Sequence, residues 1–237
     1  RLTIIMLIMI IHVTIFLIGF TIFSAASLIF AYSFFLHDLQ KSMYSKVSCI
    51  ALLLGLASLQ LCHYLTLTIS FDSLNSRFYL VCLLFVPACF YYFSRYVLFP
   101  SAAPQIKHLL HLIPIIVGLF IPKAIIPGMA FLIGSAYCLW FIHLVLKLRT
   151  QKNRFAMERF FFGMFALFAI AALILGLMTP YIDPTIFYIA YANAIGIAML
   201  LVTTAIIVFP EMLTDIQQIA DLTYAKTKLN GINIESK

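Results

Sequence analysis

Charge is what this sequence has least of. Of its 237 residues only 10% are Asp, Glu, Lys or Arg, against roughly a quarter in an ordinary soluble domain. With 64% of residues hydrophobic, too few polar side chains remain to clothe a water-facing surface, and a soluble globular fold is excluded. Hydrocarbon must be the main solvent. Acid is scarcer than base, 8 Asp plus Glu against 15 Lys plus Arg, a net charge of +7. The five cysteines, Cys49, Cys62, Cys82, Cys89 and Cys138, stand in apolar runs with no CxxC or CxxH pair. They read as small buried apolar residues, not as a disulfide or metal framework.

The sequence also lacks the signatures of catalysis. There is no GxSxG, no HExxH, no glycine-rich phosphate loop and no pair of carboxylates placed for acid and base work. The expectation is therefore a protein that is not an enzyme, with no cofactor and no metal. Arg95, Glu158 and Arg159 fall at helix ends, and Asp72, Arg77 and Asp183 fall in or beside loops. No apolar run carries an ionisable carboxylate, lysine or arginine at its middle, which removes the usual mark of ion-coupled transport or proton pumping.

What the sequence has in abundance is apolar runs long enough to cross a bilayer. Seven are separable: residues 2–36, 47–69, 78–99, 108–121, 125–146, 160–178 and 184–209. The fold class this implies is an all-α membrane protein, a seven-transmembrane-helix bundle occupying residues 1–209. The first run exceeds the roughly 20 residues a span needs and must protrude, tilt or bend, with His12 and Gly19 the places for a bend. Leu2 to Phe23 followed by Ser24-Ala25-Ala26 also resembles a secretory signal, but it is longer than the roughly 7 to 15 residues of a signal core, and the chain stays apolar to Leu36. The fourth run is short and broken by Pro114. After Pro210 the composition turns polar, and residues 210–237 read as a cytoplasmic juxtamembrane linker.

The cations choose an orientation. With the N-terminus outside, Lys41, Lys46, Arg95, Lys107, Lys147, Arg149, Lys152, Arg154, Arg159, Lys226, Lys228 and Lys237 fall on the inner side, and only Arg1, Arg77 and Lys123 on the outer. By the positive-inside rule the C-terminus is cytoplasmic. The run Lys147, Arg149, Lys152 and Arg154, with Arg159 beyond it, forms a cytoplasmic basic face. Anchoring the fifth and sixth helices is role enough for it, and anionic lipid or a partner domain is the functional alternative.

Six histidines in so apolar a chain raise the question of heme. His63 and His143 lie at opposite ends of their helices and His108 and His111 at an interface, so helix packing accounts for them better than paired axial ligation. The remaining polar and aromatic set is Gln60, His63 and Tyr64 on the second helix, Tyr181 before the seventh, and Tyr188, Tyr191 and Asn193 within it. An aromatic interface belt with an interhelical hydrogen bond is the plainer account. The same seven residues are the candidate pocket for a small-molecule or lipid ligand. Small residues such as Gly163, Ala169 and Gly176 on the sixth helix and Ala190, Ala194 and Ala198 on the seventh favour close packing, including a homodimer face.

Residues 85–96, FVPACFYYFSRY, followed by 107–114, KHLLHLIP, resemble the "P-x-x-Y-x-Y-x-R … H-x-x-x-x-x-P" stretch of the seven-helix membrane domains joined to AraC-type helix-turn-helix transcription regulators of bacteria. Residues 224–229, YAKTKL, resemble the "Y-x-K-S-x-L" segment that leads from the seventh helix of such proteins to their DNA-binding part. The resemblance implies a sensor in the bacterial inner membrane that transmits a ligand or membrane signal to a cytoplasmic DNA-binding domain. The helix-turn-helix pair falls outside these residues, so none of them is assigned to DNA contact. The same topology also serves as the input domain of histidine kinases or cyclic-nucleotide enzymes, and a small transporter is a rival from another class.

Overall fold

A computed structural model describes residues 2–34, 43–99, 105–149 and 156–208 of the chain. Among these residues seven α-helices follow one another: α1 Leu2–Phe34, α2 Met43–Ile69, α3 Arg77–Leu98, α4 Ile113–Gly118, α5 Ile126–Arg149, α6 Ala156–Met178 and α7 Pro184–Val208. No strand occurs among the described residues. Five segments among the described residues are long and apolar enough to cross a membrane: Ile5–Ser33, Met43–Ile69, Arg77–Leu98, Lys123–Leu146 and Pro184–Val208. Large apolar side chains cover their outer surfaces, among them Phe16, Phe23, Phe30, Leu54, Leu61, Leu132 and Ile207. This is the pattern of a helical membrane protein, whose backbone polar groups are satisfied within each helix and whose exterior faces lipid.

The helix boundaries follow from local chemistry. Ser70 takes φ 57°, the left-handed conformation that terminates α2, and the Asp72 carboxylate accepts from the backbone N–H and side chain of Asn75 to set a single 3-10 turn, Ser73–Asn75. The carboxylate of Asp183 accepts from the backbone N–H of Thr185 at 2.8 Å, opening α7 with Pro184 in its first turn. That hydrogen bond holds the Asp183 carboxyl below the usual carboxylate range. Pro87 sits inside α3 without ending it.

The helices meet closely where glycine allows it. A Cβ on Gly196 of α7 would lie 2.7 Å from the Leu17 Cβ of α1, and one on Gly176 of α6 would collide with the Phe131 side chain of α5. Gly163, by contrast, has open space around it. Ser135 of α5 donates to the Ala169 carbonyl of α6 at 2.7 Å, so the small face of α6 is used at least in part against α5. The first helix is an unbroken α-helix through His12 and Gly19, and it packs along both α2 and α7 through Ala25, Tyr32, Cys49, Leu53 and Met199.

The fourth apolar run differs from expectation in an instructive way. Residues Ile106–Leu112 are a 3-10 helix, and only Ile113–Gly118 are α-helical. Pro114 does not break a helix here. It occupies the first turn of α4, where its missing N–H is not needed. A 3-10 helix rises about 2.0 Å per residue, so these two pieces together reach roughly 23 Å. From His108, bonded to Tyr91, they reach Gly118, whose carbonyl accepts from the long Arg77 side chain toward the other end of α3.

Candidate functional site

The most polar part of the bundle interior lies where α2, α3 and α7 meet, with α1 closing one side. Four of the seven residues expected at a pocket converge here: Gln60, His63, Tyr188 and Tyr191. Gln60 and His63 have no solvent exposure at all. The Gln60 Nε2 group donates to the Ala192 carbonyl of α7 at 3.0 Å and to Thr21 Oγ1 of α1 at 3.4 Å. Its Oε1 is thereby left as an acceptor for His63 Nδ1 at 3.0 Å. With Nδ1 carrying the proton, His63 Nε2 must accept, and it does so from the Tyr79 hydroxyl at 3.0 Å.

Each donor in this chain therefore has one consistent assignment. Thr21 donates its own hydroxyl proton to the Leu17 carbonyl at 2.8 Å, which leaves its oxygen free to receive from Gln60. The run Tyr79, His63, Gln60, Ala192 is a neutral, fully paired path across three helices. Around it the rings of Tyr79, Tyr188 and Tyr191 stand at 5.6, 6.0 and 5.2 Å from the imidazole centroid, and Phe131 and Phe187 pack behind Tyr191. Tyr188 also closes the end of the site: its oxygen accepts from the backbone N–H of Leu74 at 2.6 Å, fastening the 3-10 turn over the cluster. Ser73 of the same turn is buried and donates to the Cys62 carbonyl at 3.2 Å.

The other three expected residues lie apart. Tyr64 is 40% exposed and Tyr181 is 81% exposed, both facing outward from the bundle. Asn193 faces α1, where its Nδ2 donates to Thr14 Oγ1 at 2.9 Å. Thr14 gives its proton to the Ile10 carbonyl at 2.8 Å, so only this amide orientation fits. The Asn193 Oδ1 is consequently a buried acceptor with no donor.

Tyr79, Thr21 and Thr14 were missed by the sequence reading. Tyr79 was within reach: it and His63 are equidistant from Phe71 at the α2–α3 turn, so an antiparallel hairpin sets them opposite each other. The threonines carry no comparable signal, because their partners depend on how α1 lies across the bundle. Of the basic face, Lys147 and Arg149 fall in the last turns of α5 and Arg159 in the first turn of α6, while Lys152 and Arg154 lie outside the described residues.

A second cluster forms at the opposite end of α3. Tyr91 bonds His108 Nδ1 at 2.7 Å, Tyr92 donates to the His108 carbonyl at 2.8 Å, and the Tyr137 hydroxyl lies 2.6 Å from His111 Nδ1. In a 3-10 helix residues three apart eclipse one another, and the two imidazoles are accordingly near parallel, 12° apart at 6.3 Å. Tyr91 stacks on His111 at 3.6 Å and lies 5.5 Å from Trp140. Among the described residues no three His, Cys, Asp or Glu side chains gather closely enough to hold a metal ion.

Comparison with protein-family models, with curated proteins and with solved structures gave no match for this chain.

Proposed function

We propose that the chain is the membrane-embedded input domain of a bacterial transcription regulator of the AraC type. In this reading seven segments span the inner membrane, the 3-10 and α4 pieces together forming the fourth, with the N-terminus outside and residues 210–237 in the cytoplasm. DNA is reached only through a domain outside these residues. The observation that carries the reading is the hydrogen bond from Gln60 to the Ala192 carbonyl. It ties α7, the helix that leads into the linker, to the interior of α2 by a direct polar joint.

An uncharged molecule with a hydrogen-bond donor and acceptor competes for that joint in a way lipid chains do not. Binding at Gln60, His63 and Tyr191 would release the Ala192 carbonyl and let α7 shift against its neighbours, repositioning or dimerising the output domain. A second support is that the two halves of the stretch resembling the regulator family are in contact, Tyr91 and Tyr92 with His108. The reading is tested by the natural gene: an open frame past the codon for Lys237 that encodes a helix-turn-helix pair is expected. A stop codon there, or a kinase core, would overturn it.

A further inference from the structure

No hydrogen bond or ion pair to an acid whose side chain the structure describes reaches the basic groups at the second cluster. Those acids, Asp72 and Asp183, both lie at the opposite end of the bundle, engaged by Asn75 and Thr185. Arg95 lies in the last turn of α3. It is half-buried, its Nε is sealed from solvent with no hydrogen-bond acceptor, and its Cζ stands 6.0 Å from the centre of the Phe99 ring. Tyr91 is one turn before it, and Tyr96 is stacked on Tyr44 at 5.3 Å. Lys107, exposed, adjoins the histidine that bonds Tyr91. The buried hydroxyls of Ser45 and Ser94, at the same end of α2 and α3, also have no partner.

A guanidinium Nε sealed from water needs an acceptor in the plane of its fork, and the Phe99 ring beside Arg95 offers none. The negative end of the α3 dipole offsets part of the cost without supplying that acceptor. An aromatic frame around a cation at a helix end is also what the headgroup level of a bilayer favours. We infer that Arg95 binds the phosphodiester of an anionic glycerophospholipid, the guanidinium fork taking two phosphate oxygens. This binding site is independent of the regulator reading and of the Gln60–His63 cluster.

Trp140 is the one tryptophan of the chain and its ring lies beside Tyr91, so it reports on this end. The full chain in a neutral maltoside detergent is titrated with short-chain phosphatidylglycerol and phosphatidylcholine while Trp140 emission is followed. The expected result is a saturable change at least tenfold tighter for phosphatidylglycerol, lost in Arg95→Gln, weakened several-fold in Arg95→Lys, and kept in Arg77→Gln at the far end of α3. Circular dichroism of each variant establishes that it is folded, and the Lys variant decides should the Gln variant not fold. Equal response to the two lipids overturns the proposal. So does an unchanged phosphatidylglycerol affinity in folded Arg95→Lys and Arg95→Gln. Saturation by inorganic phosphate alone overturns it too, by assigning the group to a soluble anion.

Discussion

At the scale of single residues, the contrast between Gln60 and Asn193 is the clearest lesson. Both are amides inside apolar helices. Gln60 has every polar atom engaged and is itself the acceptor that fixes the His63 tautomer. Asn193 spends one bond on Thr14 and leaves a buried oxygen unpaired. Interhelical hydrogen bonds in membranes contribute only about 0.6 kcal/mol each on average, whereas a buried group left unpaired costs about 1–3 kcal/mol. Gln60→Leu strands the His63 Nδ1 donor, and it is expected to lower stability by about 1–3 kcal/mol in reversible unfolding in mixed micelles. Asn193→Leu removes the unpaired oxygen together with the bond and is expected to fall within about 0.6 kcal/mol of the native chain or above it. The sequence marked both residues as polar intruders. It could not rank them, because the ranking depends on which neighbours on α1 and α3 have protons to give.

At the scale of elements, what the pattern of residues conveyed was length and separation, and what it hid was helix type. Gly, Pro and charged breaks delimit α2, α3, α5, α6 and α7 because each break either removes a backbone donor or must reach water. Nothing in the 106–112 stretch distinguishes a 3-10 from an α path, and the contacts of His108 with Tyr91 and Tyr92 that go with it lie on another helix. Glycine is a similar case. Gly176 and Gly196 sit at close approaches, while Gly163 does not, a difference invisible in a list of small residues. Gly196→Leu is expected to force α7 away from α1 at Leu17. A disulfide between cysteines placed at Thr14 and Asn193, whose side chains meet at 2.9 Å, should form several-fold more slowly with the larger residue present at Gly196. Undiminished crosslinking would show that the Leu17 contact does not set the spacing.

At the scale of the whole molecule, the two ends differ in kind. Around Asp72 the turns are tied down by Leu74, Asn75, Arg77 and Lys123 through direct hydrogen bonds. The opposite end carries Lys46, Arg95 and Lys107. The proposed orientation, with the N-terminus outside, rests on this asymmetry. Cysteines introduced at Tyr181 and at Gln151 test that orientation. In intact spheroplasts a membrane-impermeant maleimide should label the first and not the second, with Gln151→Cys labelled only after permeabilisation. The reverse pattern would invert the topology while leaving the helix packing untouched.

The seven-residue 3-10 helix between Ile106 and Leu112 also gives the molecule an adjustable length. Rewound as α-helix, the same residues would shorten by about 3.5 Å. The imidazoles of His108 and His111 would then no longer eclipse, and Tyr91, held between them and Trp140, would lose its stacking partner. In the proposed seven-span arrangement, a thicker or thinner bilayer that stretched or compressed this strut by a few ångströms would twist the aromatic cluster at its foot.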